Sequence, residues 1–238
     1  MARERFRLAG AAFLAFGLAL PAAGEDFTIV SKTRFGDKEG TQTVYLTPAR
    51  MKTAGGGSSA LVEFTTGQMS FLDEAKKTYF VTSVEEMSAY AKGREEQAAT
   101  SGFNAQSFGA LGAVAAKKTG RSRTIAGRTC DQWVFSMGEA LVFEVCAART
   151  MPAPPGYYEA KKASYAGMGP MGRHFEKMFE AMRKVPGFPL ALAMHVKTES
   201  MKQETLSEAT EVKKSPIPAA IFEIPADFVK KKSPFAPG

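Results

Sequence analysis

The sequence predicts an α+β fold, in which an antiparallel sheet, arranged as a barrel or a sandwich, is accompanied by a few helices. Runs of alternating apolar and polar residues recur about every 8–12 residues, which is typical of antiparallel strands. Three other segments carry apolar residues every three or four positions, which indicates amphipathic helices. At 238 residues, the chain is long enough to bury a sizeable core.

Residues 1–24 are predicted to be a cleaved signal peptide. Three arginines precede the apolar run Leu8–Leu20, which is short for a membrane span, although an uncleaved anchor is the alternative. Small residues close the segment, so we expect the mature protein to start at Glu25 and to be periplasmic or secreted.

The first third of the mature chain is predicted to be a meander of strands. The segment between the second and third strands, Pro48–Ser59, is rich in glycine and is predicted to be a flexible loop. Its glycines lack the Gly-Lys-Ser/Thr ending of a phosphate-binding loop, so that function is set aside. The predicted strands cover 26–35, 41–47, 60–66, 68–72 and 77–82.

A helix is predicted from Ser83 to about Ala99, because Ser83 with Glu86 forms a capping box. The Gly, Ala and Phe-rich segment 102–116 is interpreted as a crossover or lid. The rest of the chain predicts a strand at 121–125, helices at 157–165 and 171–184, strands at 190–197 and 204–213, and a helix or extended tail at 218–228. We expect a single domain over 25–229 and a disordered basic tail over 230–238.

Both cysteines lie in one predicted hairpin, Thr129–Ala147. A turn centred on Gly138 would set Cys130 opposite Cys146, near the spacing of a disulfide. Export to an oxidising compartment favours that bond over free buried thiols. Alternation places a set of large apolar residues together on the other face of the hairpin: Trp133, Phe135, Leu141, Phe143 and Val145.

The sequence offers little for catalysis, and we expect neither an enzyme nor a cofactor. His174 and His195 lie in no recognisable metal-ligand spacing, and no G-x-S-x-G elbow is present. The G-x-G-x-x-G match at 167–172 follows no strand, which argues against a dinucleotide site. The net charge of +7 comes largely from lysine pairs without interleaved aromatics, which excludes a nucleic-acid groove. Solubility explains this charge, and attraction to an anionic membrane surface is the alternative. A monomer is expected.

A methionine-rich helix suggests one metal hypothesis. Met168, Met171, His174 and Met178 recur at helical spacing, and thioethers with an imidazole suit Cu(I). Phenylalanines share this stripe, so packing of a core or a lid is the simpler interpretation.

The remaining hypothesis is an apolar cavity between the sheet and these helices, with a filled core, as in a structural envelope protein, as its alternative. The residues chosen for face and size as ligand contacts are Phe64, Phe71, Tyr79, Trp133, Phe135, Phe143, Phe175, Met178, Phe179 and Met182.

Five segments of the mature chain carry a family resemblance: FLDEAKKTYFVTSVEEM, TIAGRTCDQWVF, FEVCAA, GFPLALAM and PAAIFEIPADF. In their order the chain resembles a family of exported bacterial proteins known as a domain of unknown function, which is similar to LolA/LolB-type periplasmic lipoprotein carriers. The resemblance implies an unclosed antiparallel β half-barrel, with helices covering its concave face. It also implies non-catalytic binding of a lipid or lipoprotein acyl chain. This chain departs from the carriers in its cysteine hairpin and in its Gly/Ala-rich segment.

Overall fold

The computed structural model describes residues 25–100, 112–166, 170–197 and 202–236. The strands are β1 Phe27–Phe35, β2 Lys38–Leu46, β3 Arg50–Gly55, β4 Ser58–Glu63, β5 Gln68–Asp73, β6 Thr78–Ser83, β7 Ala115–Ile125, β8 Arg128–Met137, β9 Leu141–Ala148, β10 Phe188–Lys197, β11 Lys202–Lys214 and β12 Val229–Lys230. They form one sheet in the order β12-β6-β5-β4-β3-β2-β1-β11-β10-β9-β8-β7. All neighbours are antiparallel except β12 and β6, which are parallel. The edge strands β12 and β7 do not pair with each other, so the sheet is unclosed.

The described helices are α1 Val84–Thr100, α2 Tyr157–Ala166 and α3 Pro170–Met182. They cover the concave face of the sheet. The rings of Phe175 and Phe179 on α3 each lie 6.0 Å from the Phe143 ring on β9. On α2, the Tyr157 ring lies 5.1 Å from the Phe188 ring at the start of β10. The predicted α+β half-barrel with helices over its concave face is confirmed.

The predicted capping box starts α1. The Glu86 N–H donates to Ser83 Oγ at 3.1 Å, and the Ser83 N–H donates to Glu86 Oε2 at 3.2 Å. The Thr82 hydroxyl donates to the same carboxylate at 2.9 Å. These bonds satisfy N–H groups that the first turn of a helix leaves unpaired.

The predicted flexible loop at Pro48–Ser59 is wrong. The segment forms most of the β3–β4 hairpin, in which Met51 pairs with Val62 and both are buried. Gly56 and Gly57 have φ values of +61° and +77°, as a two-residue hairpin turn of the primed type requires. The glycines therefore supply a tight turn between two strands rather than a long flexible stretch.

The cysteine hairpin forms, but its register differs from the prediction. Met137 pairs with Leu141, so the turn centres on Glu139 and Cys146 lies opposite Gln132. The Cys130–Cys146 disulfide is present, with a Cα–Cα distance of 5.2 Å, and it joins the strands diagonally. Because the turn centre lies one residue further along the chain, each residue pairs with a partner two positions beyond the predicted one. A shift of two positions leaves every side chain on its predicted face.

The β7–β8 turn folds back over the sheet. β7 begins earlier than predicted and bulges between Lys118 and Ser122. Beyond the bulge, Arg123 donates to Glu208 of β11 at 2.8 Å, although β7 and β11 are four places apart in the sheet. The Arg128 guanidinium lies 5.1 Å from the centre of the Phe27 ring on β1. This corner therefore forms a second layer next to the disulfide.

Asp131 stabilises this corner through contacts with three side chains. It pairs with Lys118 at 2.8 Å and with Arg149, and it accepts a hydrogen bond from the Ser122 hydroxyl at 3.1 Å. The hydrogen bond from Lys118 is the main cause that lowers the pKa of Asp131 to about 2, with Arg149 and Ser122 adding to it. All three partners stabilise the ionised carboxylate, which is why the pKa of Asp131 is low.

The C-terminal segment wraps the β6 edge. After a short 3-10 helix, Ala219–Phe222, β12 pairs with β6, and the Lys231 N–H donates to the Tyr79 carbonyl at 2.7 Å. The Phe235 ring lies 6.0 Å from Phe80 and 5.3 Å from Tyr90. The sequence predicts a disordered tail over 230–238, but its described part, up to residue 236, has defined contacts because an aromatic anchor follows the lysines.

Residues 1–24 and most of the predicted crossover at 102–116 lie outside the described residues. Within the described ranges, no helix combines the length and apolar character needed to cross a membrane.

Candidate functional site

One half of the concave face is filled. Phe135 and Phe143, on paired strands, are fully buried, as are Phe175 and Met178 of α3. The Tyr165 ring of α2 lies 4.9 Å from the Phe175 ring. Large side chains from both layers therefore meet here and leave no room for a ligand.

The other half encloses a cavity of about 310 Å³. It lies between α2, α3 and the strands β1–β3, β10 and β11. Its apolar lining comes from both layers: Ile29, Val44, Met51, Phe179, Met182, Phe188, Leu190 and Leu192. Apart from Arg34, the polar lining on the strands consists of uncharged side chains: Ser31, Thr33, Gln42, Thr53, Thr205 and Ser207. The cavity can therefore hold an apolar group while offering a few hydrogen bonds.

The position of the cavity follows from side-chain size. Ser31 of β1, and Val44 with its partner Thr53, are small residues that face the helices. The equivalent positions on β8 and β9 carry Phe135 and Phe143. Helices placed over both halves fill the space above the phenylalanines but not above the small residues.

The α2 wall of the cavity is aromatic and carries one cation. Tyr157, Lys161 and Tyr165 follow each other at four-residue spacing, with Tyr158 beside them. Burial raises the pKa of Tyr158 to about 12 and also raises the pKa of Tyr157 and Tyr165. These phenols stay neutral over the physiological range and can donate hydrogen bonds.

Lys161 is the only lysine, arginine or acidic residue among the cavity lining on the described helices. Its Nζ lies 5.8 Å from the centre of the Tyr157 ring. Burial lowers the pKa of this lysine, because the ammonium loses hydration on leaving water.

The cavity reaches the surface at the end of β1. Its lining there includes Phe35, whose side chain is 60% exposed, and Arg34. Arg34 donates to Glu204 at 2.6 Å, and His195 Nδ1 lies 3.4 Å from the same carboxylate. The mouth of the cavity thus has an exposed aromatic ring and an arginine that is already paired with Glu204.

Of the ten predicted ligand contacts, Phe179 and Met182 line the cavity. Phe135, Phe143, Phe175 and Met178 lie in the filled half described above, and Trp133 packs against that core.

The other three predicted contacts lie elsewhere. Phe71 stacks on Phe80 at 5.1 Å, and Phe64 packs against Gly156 before α2. Tyr79 pairs with Leu72 and so faces the opposite side of the sheet from Phe71, because side chains alternate along a strand.

The methionine–histidine stripe is only partly described. Met178 is buried in the core, and the His174 Nδ1 atom is buried with no hydrogen-bond partner among the described residues. Burial lowers the pKa of His174, and Lys177 and Arg173 add to this effect. Met168 and the side chain of Met171 lie outside the described residues. No group of three or more His, Cys, Asp or Glu side chains in the described ranges could hold a metal ion.

A second depression, of about 240 Å³, lies beside the folded-over corner. Several of its lining residues are charged, among them Arg121, Arg123, Glu144 and Glu208. Because Arg123 and Glu208 already pair with each other, we assign this depression to the corner and take the cavity under α2 as the candidate site.

The sequence prediction missed the α2 wall. Its helix is predicted, but the choice of contacts used large apolar residues on the sheet and on α3. The spacing of Tyr157, Lys161 and Tyr165 is the signal that could have found it, since residues four apart share one helix face.

Comparisons with known proteins identify one family model. The model described as "Domain of unknown function (DUF4412)" matches residues 39–228. No curated protein matches the chain.

Several solved structures are similar to the chain. An uncharacterized conserved protein from Thermus thermophilus has a TM-score of 0.49 and 9% identity, over 88% of this chain and 91% of that chain. The LolA superfamily protein NE2245 from Nitrosomonas europaea has a TM-score of 0.32 and 8% identity, over 86% and 91% of the two chains. PNGF-II has a TM-score of 0.42 and 10% identity, over 88% of this chain but 31% of PNGF-II, so the chain spans about a third of that protein.

Proposed function

The chain belongs to the family described as "Domain of unknown function (DUF4412)", and we propose that it binds a hydrophobic ligand, an acyl chain or a lipid, without catalysis, in the cavity under α2. The observation that carries this proposal is the unfilled space of about 310 Å³ between an apolar sheet face and the helices. Ligand pockets in proteins usually begin at about 300 Å³.

The volume favours a single chain. A water molecule in the liquid occupies about 30 Å³, and a methylene group needs a similar space. The cavity therefore accommodates about ten chain carbons. Each buried methylene contributes about 0.8 kcal/mol, so a chain of this length supplies enough free energy for binding after the cost of ordering it. A lipid with two chains would need the helices to move.

The lining supports binding rather than acid–base chemistry. Asp, Glu, His and Cys are absent from the described residues that line the cavity. General acid–base catalysis draws most often on His and on carboxylates, and less often on Lys and Tyr, which do line this cavity. The tyrosines with raised pKa and the serine and threonine hydroxyls instead fit the orientation of a ligand by hydrogen bonds.

A periplasmic location is part of this proposal. The predicted signal peptide at residues 1–24 supports export, and so does the Cys130–Cys146 disulfide, since structural disulfides persist in oxidising compartments. Phe179 and Met182 remain proposed ligand contacts, and Tyr157, Tyr158 and Leu190 join them.

A neutral fluorescent apolar probe, N-phenyl-1-naphthylamine, tests the cavity. We expect saturable binding by the wild-type protein and at least about tenfold weaker binding, or 1.4 kcal/mol, by the variant Thr53→Phe, because its ring occupies the cavity. The matched control is Thr43→Phe on the neighbouring strand. Thr43 pairs with Val30 and Ala54 and faces away from the helices, so this variant should bind as the wild type does.

The proposal fails if the wild-type protein does not bind the probe. It also fails if Thr53→Phe, shown by circular dichroism to be folded, binds the probe with unchanged affinity.

A further inference from the structure

The cavity contains a cation without a counter-ion. No carboxylate among the described residues forms an ion pair with Lys161. Its one described contact is a cation–π contact with the Tyr157 ring, whose centre lies 5.8 Å from Nζ. Lys161 is half-buried, and an ammonium that loses part of its hydration without gaining a partner is costly. A bound anion would offset this cost.

The neighbouring lysine shows the contrast. Lys162, which does not line the cavity, lies 3.2 Å from Glu159, 3.5 Å from Glu176 and 3.1 Å from Glu180. Two successive lysines therefore have opposite surroundings. The one outside the cavity has three carboxylates, and the one that lines the cavity has none from the described chain.

A second polar group in the cavity also lacks a partner. The Thr205 hydroxyl lines the cavity, and its oxygen is buried with no hydrogen-bond partner among the described residues. Buried hydroxyls in folded proteins almost always have a partner. Both groups can donate a hydrogen bond, so a ligand acceptor in the cavity could satisfy either of them.

We propose that the ligand is a single-chain fatty acid, with its carboxylate paired to the Lys161 ammonium and its alkyl chain held by the apolar lining. This inference rests on the proposed function, because it names the class of ligand for the same cavity. One chain fits the volume, and one anionic head group fits the uncompensated cation. A neutral amphiphile of the same length would fill the space but leave the ammonium unpaired.

Decanoic acid, 1-decanol and decyl phosphate, which share one alkyl chain, test this inference by displacement of the neutral probe at pH 7. The wild-type protein should bind decanoate about tenfold more tightly than decanol, since a hydrogen bond between charged groups gives a preference of that size. In Lys161→Met the apolar stem remains and the charge is lost, so the preference for decanoate should disappear while decanol still binds.

Lys184→Met is the matched control. Lys184 is an exposed residue that does not line the cavity, so this variant should keep the wild-type preference.

Four outcomes would overturn the inference. The first is equal affinity of the wild-type protein for decanoate and decanol, which can be measured without a variant. It would contradict the pairing of the head group with Lys161 but not the proposed function. A preference for decanoate that survives in Lys161→Met places the anion elsewhere. Decyl phosphate bound more tightly than decanoate would make a phosphate the preferred head group. If neither decanol nor decanoate displaces the probe, both the inference and the proposed function fail.

Discussion

Loss of the Cys130–Cys146 disulfide should destabilise the protein by about 3 kcal/mol. The two cysteines are 16 positions apart, and the chain-entropy model gives about 3 kcal/mol for a loop of this length. Both residues are almost fully buried at the point where the β7–β8 corner folds over the sheet. Their replacement by alanine should add a packing loss of about 1 kcal/mol.

Urea unfolding with linear extrapolation measures this change. Oxidised wild type, reduced wild type and the double variant Cys130→Ala/Cys146→Ala form the series. The free energy of unfolding should fall on reduction of the wild type, whereas the double variant should not respond to the reductant. Because the corner lies away from the cavity, the reduced protein should bind the neutral probe as before while it stays folded.

Equal free energies of unfolding for oxidised and reduced wild type, within about 0.5 kcal/mol, would refute this reasoning. That result would mean that β8 and β9 stay paired in the unfolded state. Their pairing would then already restrict the chain, and the disulfide would add no further restriction. A loss of probe binding on reduction would show instead that the corner and the cavity are coupled.

Three further perturbations test particular contacts. In Asp131→Asn, stability should fall by about 1 kcal/mol at pH 7, a value reduced for solvent screening. The folded pKa of about 2 lies below the ordinary 3.8, so the contribution is present above pH 4 and is lost as the pH falls towards 2. Thermal unfolding against pH should thus be flatter over this range in the variant, and an unchanged slope would contradict the assignment. Ser83→Ala removes the N-cap of α1 and should cost about 1 kcal/mol in urea unfolding, whereas Ser88→Ala inside the helix should cost less; equal losses would argue against the cap. Phe235→Ala should increase hydrogen exchange at residues 229–236, and unchanged protection would show that β12 alone holds the tail.

The sequence predicts the meander, the three helices and the disulfide because each depends on local patterns. Alternation defines β1, β5 and β6, and the capping box places the start of α1 at Ser83. The prediction fails where a pattern has two physical meanings. The glycines at 55–57 fit both a flexible loop and a tight hairpin turn, and only the pairing of Met51 with Val62 decides between them.

The cavity could be predicted only in part. The half-barrel and the helices over it come from the resemblance and the apolar stripes, and both place ligand contacts on large side chains. Large residues on both layers fill the space between them, however, so most of the chosen contacts, such as Phe143 and Phe175, lie in the core. A cavity forms where the strand residues are small, and the sequence alone does not show which strands lie under which helix.

The cavity persists because α2 is held away from β1. Lys162 joins α2 to Glu176 and Glu180 of α3, and the Tyr165 ring lies 4.9 Å from Phe175 and 5.3 Å from Phe179. α3 in turn rests on the phenylalanines of β8 and β9, whose size sets its height above the sheet. With α2 fixed to α3 at that height, the small residues of β1–β3 cannot reach it. The large side chains of the filled half therefore keep the other half open, so a substitution that shrinks the core should reduce the cavity as well.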